Sequence, residues 1–116
     1  MTAGRVLCRL DEIPEPGGKG VLLPGDGGRP LDLVVVRFQG LLRAYVNSCP
    51  HVGTPLDTLP DRFFTRAGDQ LLCSTHGARF DPATGLCVAG PCAGARLRAV
   101  AVRLEGASVV LADAIS

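Results

Sequence analysis

The sequence predicts an all-β fold, and three observations carry the prediction. Short apolar runs alternate with Gly- and Pro-rich stretches along the whole chain. No segment keeps a helical hydrophobic period over three turns, so no amphipathic helix is called for. The strongest apolar run, Leu31 to Phe38, is built on β-branched valines, whose stiff side chains pack well on a pleated surface.

Element by element, Arg5 to Leu10 reads as a first strand. Glu12 to Pro30 is dense in glycine and proline and reads as a long loop, broken by Val21-Leu22-Leu23 as a candidate short strand. Leu31 to Phe38 is a strand, and Leu41 to Val46 is its hairpin partner across Gln39-Gly40. Phe63 and Phe64 read as core plugs, because aromatics usually bury. Gln70 to Cys73, Ala78 to Phe80, Arg96 to Leu104 and Ser108 to Leu111 supply the remaining strands, and Asp81-Pro82-Ala83-Thr84-Gly85 is a turn by composition.

Composition sets bounds on function. The chain has 116 residues, 47% hydrophobic and 20% charged, which suits one globular domain over 1–116 and is too short for two independent cores. Twelve basic against eleven acidic residues leave a net charge of +1, so nothing supports binding to nucleic acid or to an anionic membrane surface. The N-terminal segment carries charges where a signal peptide needs an apolar run, and no stretch approaches membrane-spanning length. Asp11, Glu12 and Glu15 read as a solvated acidic stretch. A cytoplasmic protein is expected.

Chemistry concentrates at two clusters. Cys49-Pro50-His51 and Cys73-Ser74-Thr75-His76 contain both histidines and two of the five cysteines. Two thiolates and two imidazoles make a four-ligand set that suits zinc or one kind of iron–sulfur centre. With both histidines committed, no Ser-His-Asp set can form, and Gly25 to Gly28 lacks the Gly-Lys-Ser/Thr of a nucleotide loop. The remaining cysteines, Cys8, Cys87 and Cys92, are an odd number without the spacing of a secreted disulfide framework, which favours a reducing compartment. Cys8 reads as packing. Cys87 and Cys92 flank Gly90-Pro91 and are spaced for a disulfide or a redox switch, but buried structural thiols are the commoner fate.

The flanking residues choose between the metals. Cys49-Pro50-His51-Val52-Gly53-Thr54-Pro55-Leu56, then Cys73-Ser74-Thr75-His76-Gly77-Ala78-Arg79-Phe80, then Gly90-Pro91, fill every position of the pattern Cys-x-His-x-Gly-x-x-Leu, Cys-x-x-His-Gly-x-x-Phe and a Gly-Pro loop. This closely resembles the Rieske family at motif level from about Ala44 to Leu97, with a longer interval between His51 and Cys73 that points to an insertion around Leu59 to Asp69. The resemblance implies an antiparallel β-sandwich or barrel base with a small cluster-binding cap of loops, approximately 47–92. It also implies one [2Fe–2S] cluster per chain, held by Cys49 and Cys73 on the inner iron and by His51 and His76 on the outer iron. Neutral imidazoles in place of two thiolates remove negative charge from that iron and make reduction easier. Gly53 and Gly77 are expected to let the backbone bend around the inorganic sulfides and aim amides at them. Gly90 and Pro91 would cover the cluster, and His51 and His76 would be the electron outlet on an apolar tip with Val52, Pro55 and Pro91.

A filled four-ligand cluster has no open coordination site, so the resemblance implies a soluble electron carrier, with no catalytic residues of its own, passing single electrons from a flavin-dependent reductase to an oxygenase or similar acceptor. The small subunit of an assimilatory nitrite reductase is the alternative within the family, and a structural zinc module is the alternative outside it. High-potential members of the family tie their two metal loops by a disulfide and place Ser and Tyr hydroxyls on the cluster. Here those positions are Thr54 and Thr75, and Ala78 and Phe80, which implies a low-potential centre.

Overall fold

The computed structural model describes residues 4–15, 17–23, 31–47, 63–65, 68–73, 77–90 and 93–112. Its strands are β1 (Val6–Arg9), β2 (Gly17–Leu23), β3 (Leu31–Phe38), β4 (Leu41–Val46), β5 (Leu71–Leu72), β6 (Arg79–Phe80), β7 (Cys87–Ala89), β8 (Ala99–Val100), β9 (Val102–Glu105) and β10 (Ser108–Leu111). All pairings are antiparallel. They form a central sheet in the order β2-β3-β4-β8, an outer sheet β1-β10-β9 and a cap sheet β5-β6-β7.

β3 organises these layers. In a strand, successive side chains point to opposite faces, and β3 is buried on both. Leu33 and Val35 enter one core with Leu7, Cys8, Ile13, Val21, Ala44, Val109 and Leu111, between the central and outer sheets. Val34 and Val36 enter a second core with Tyr45, Phe63, Leu71, Cys73, Ala78, Phe80 and Cys87, between the central sheet and the cap. The unbroken Leu-Val-Val-Val run is the sequence signature of this double burial. β3 turns into β4 at Gln39 and Gly40, both with positive φ (+48° and +78°), as a two-residue hairpin of the twist-compatible kind requires.

Two sequence expectations change. Within Glu12 to Pro30, the strand expected at Val21-Leu22-Leu23 is there but longer, and residues 24–30 lie outside the described residues. Leu10–Glu12 is a short 3-10 turn, and β2 is a seven-residue strand paired with β3 along its whole length. The glycines that suggested a loop are packing positions: a Cβ at Gly18 would lie 3.0 Å from the Phe63 ring and 3.2 Å from Val34 Cγ2, and one at Gly17 would lie 2.5 Å from Pro14. Arg96 to Leu104 is likewise not one strand. β8 pairs with β4 and β9 with β10, so the chain crosses from the central to the outer sheet at Ala101. β7 is an additional strand. The described part of the insertion is ordered: Leu72 N–H donates to Phe63 O (2.7 Å) and Thr65 N–H to Gln70 O (2.9 Å). Phe63 is wholly buried, as expected of a core plug, and Phe64 stacks on Phe38 with ring centroids 6.1 Å apart.

Candidate metal centre

Cys73 follows β5 directly and is fully buried in the cap core. β5 and β6 form a hairpin with Leu71 opposite Phe80 and Leu72 opposite Arg79, so the segment from Cys73 to Ala78 is its tip. Two backbone bonds pinch this tip at its base: Cys73 N–H donates to Ala78 O, and Gly77 N–H donates to Cys73 O, both at 2.8 Å. Gly77 has φ +73°, and among the described residues no atom beyond its chain neighbours stands within 4 Å of a Cβ built there. Backbone conformation, rather than crowding by the protein, calls for glycine at this position, and its amide is bonded to the Cys73 carbonyl.

Of the four expected ligands, Cys73 is described; Cys49, His51 and His76 lie outside the described residues, as do Val52, Gly53, Thr54, Pro55, Thr75, Pro91 and Cys92. The approach to Cys49 is described. β4 ends at Val46, and buried Asn47 donates its N–H to Asp32 O at 2.9 Å, fixing the chain two residues before that cysteine.

β7 leads into the Gly-Pro loop. Gly90 has φ +98°, and a Cβ there would stand 2.7 Å from Ala78 Cα and 3.2 Å from Ala78 N. Gly90 therefore rests backbone-to-backbone on Ala78. Only glycine allows this approach. Cys87 is buried beneath it, with Sγ 3.2 Å from Ala89 O, consistent with a structural thiol. Cys8 is buried in the other core, where loss of solvation pushes its thiol pKa up, helped by nearby Glu12.

Sequence reasoning passed over Tyr45, the chain's single tyrosine. It sits in β4, is 1% exposed, and donates its hydroxyl to Pro82 O at 2.7 Å. Burial raises its pKa to about 12. A lone tyrosine on a strand leading to a ligand was the available signal.

A buried thiol at the pinched foot of a hairpin, with Gly90 laid on Ala78 at the same foot, is a suitable setting for a soft metal, which prefers thiolate in a site shielded from water. The family model of the Rieske [2Fe-2S] domain matches residues 5–110. The chain belongs to the Rieske family. Its cofactor type is accordingly the [2Fe–2S] cluster, and the buried Cys73 fits that group. Among solved structures, the Rieske chain is similar to the ferredoxin of carbazole 1,9a-dioxygenase from Nocardioides aromaticivorans IC177, at 28% identity and TM-score 0.72, over 98% of this chain and 100% of that one. It also shares its fold with a chain of the complex of reduced oxygenase and oxidized ferredoxin in carbazole 1,9a-dioxygenase, at 22% identity and TM-score 0.68, covering 92% and 90%. The terminal oxygenase of carbazole 1,9a-dioxygenase from Novosphingobium sp. KA1 matches at 21% identity and TM-score 0.74, over 96% of this chain but 30% of its own. No curated protein matches the chain. No helix among the described residues is long and apolar enough to cross a membrane.

Proposed function

We propose that this Rieske domain is a one-electron carrier, organised as a single domain over 1–116 with its cap over approximately 47–92. The observation that carries the reading is the likeness to a dioxygenase ferredoxin, at 28% identity over 98% of this chain and 100% of that one. Cys49 and Cys73 hold the inner iron and His51 and His76 the outer iron; the cluster, when bound, stores and releases single electrons. The chain's own contribution is to bury Cys73, pinch its loop and lay Gly90 on Ala78, which excludes water and keeps the ligand geometry fixed between oxidation states.

The donor is a flavin-dependent reductase and the acceptor an oxygenase or similar redox protein in the cytoplasm. The ferredoxin–oxygenase complex among the similar structures supports the choice of acceptor.

Visible absorption with iron and acid-labile sulfide analysis on freshly purified protein tests this. Two iron and two sulfide per chain are expected; Cys49→Ser or Cys73→Ser abolishes assembly, and Cys8→Ser does not. One tightly bound zinc with no labile sulfide overturns the reading in favour of a structural zinc module.

A further inference from the structure

Two polar contacts fasten the turn that connects β6 and β7 to the central sheet. Tyr45 Oη donates to Pro82 O at 2.7 Å in the buried interior, and Arg43 Nε donates to Ala83 O at 3.2 Å at the surface. The turn is well determined within itself: Gly85 N–H donates to Asp81 O (2.7 Å), Asp81 N–H to Leu86 O (2.9 Å) and Ala83 N–H to Asp81 Oδ1 (2.9 Å). Gly85 lies flat against the tyrosine ring, where a Cβ would stand 2.8 Å from Tyr45 Cε1. A hold on Pro82 is therefore a hold on the whole turn.

That turn occupies a particular place in the chain. Tyr45 lies on β4, four residues before Cys49. Asp81 directly follows β6, which returns from the Cys73–Ala78 tip, and β7 beyond the turn leads to Gly90 on Ala78. One hydroxyl thus joins the strand that feeds the first Cys-His loop to the hairpin that carries the second. The sequence offers Thr54 and Thr75 where a disulfide would otherwise join those loops.

We propose that Tyr45 is a positioning residue for the metal centre, holding the two ligand loops in register through the Pro82 carbonyl. The inference rests on the cluster reading above. Its physical basis is that a buried carbonyl deprived of its donor is costly, so removing the hydroxyl lowers the free energy of opening the cap while leaving the ring packed on Gly85.

The test compares Tyr45→Phe with Val109→Ala, which removes stability from the outer core without touching the cap. Iron release to a chelator under native conditions should run about tenfold faster in Tyr45→Phe, equivalent to about 1.4 kcal/mol, and less than twofold faster in Val109→Ala. Equal acceleration in both, or none in Tyr45→Phe, overturns the proposal and leaves the tyrosine a merely structural residue. Arg43→Ala guards against a Tyr45→Phe chain that does not fold: it should speed release in the same direction by a smaller factor, and no change there overturns the proposal. Amide hydrogen exchange at Ala83 and Gly85 reads the tie in any metal state. Faster exchange in Tyr45→Phe supports it even where iron and sulfide analysis rejects the cluster, and unchanged exchange refutes it even where the cluster is present.

Discussion

Ala78 and Phe80 show how single side chains set the electronic character of the proposed centre. Both are fully buried in the cap core beside Cys73, and neither carries a hydroxyl. Hydrogen bonds to cluster sulfur stabilise the more negative reduced state, so their absence lowers the potential, towards the bottom of the range of about −150 to +300 mV for such centres. Protein-film voltammetry should find a low midpoint, raised by Ala78→Ser and by Phe80→Tyr; a wild-type midpoint well above zero contradicts the argument. Gly85 is constrained twice, by φ +77° and by the Tyr45 ring. Gly85→Ala should cost about 2 kcal/mol or more in urea unfolding, from the left-handed backbone and the clash together. Tyr45 itself adds a pH dependence. Its pKa is about 12 folded and about 10 unfolded, so its protonated form favours the folded state. That stability, about 3 kcal/mol, is complete below pH 10 and disappears as pH rises through 12. The chain has one tyrosine and no tryptophan, so ultraviolet titration of tyrosinate follows this group alone, and urea midpoints of Tyr45→Phe should show a smaller alkaline decline than the parent, the buried Cys8 thiol supplying part of what is left.

Adjacent residues on β3 serve different layers. Val34 faces the cap core and Val35 the outer core, each with no exposed surface. Truncation to alanine at either should cost about 1–3 kcal/mol of global stability. Only Val34→Ala should also hasten iron release to a chelator, because only Val34 supports the cap; equal release from both variants would show that the two cores do not open separately. The β3–β4 hairpin was legible because valine enrichment and Gln39-Gly40 agree on strand, turn and register. β2 was legible only at its Val21-Leu22-Leu23 end, since Gly17, Gly18 and Gly20 carry no local strand signal, and the close approach of Pro14 to Gly17 and of Phe63 to Gly18 is a tertiary fact. The crossing at Ala101 was hidden for a similar reason. Nothing in Arg96 to Leu104 marks the residue at which pairing passes from β4 to β10.

At the scale of the molecule, the family was readable because the ligand pattern is rigid: thiol, imidazole and glycine must recur at set intervals for a backbone to wrap one cluster. The sequence thereby proposes Cys49, His51, Cys73 and His76 as ligands and Gly90 and Pro91 as a cover. It could not indicate that Gly90 rests on Ala78 or that Tyr45 reaches Pro82, since neither contact joins chain neighbours. The outer sheet has a consequence of its own. β1 and β10 are paired, and Gly4 N–H donates to Leu111 O at 2.7 Å, so residues 4 and 111 lie side by side. A backbone that brings residues 4 and 111 together can be linked there and reopened elsewhere. Joining Ala112 to Gly4 with a short flexible peptide and cutting at Gly40, an exposed hairpin turn on β3–β4, gives a circular permutant of residues 4–112 in which Cys49 and Cys73 fall in the first half of the new chain. It should assemble the same red-brown cluster with an unchanged spectrum, and the new ends at Gly40 offer attachment points for an electrode or a fused reductase.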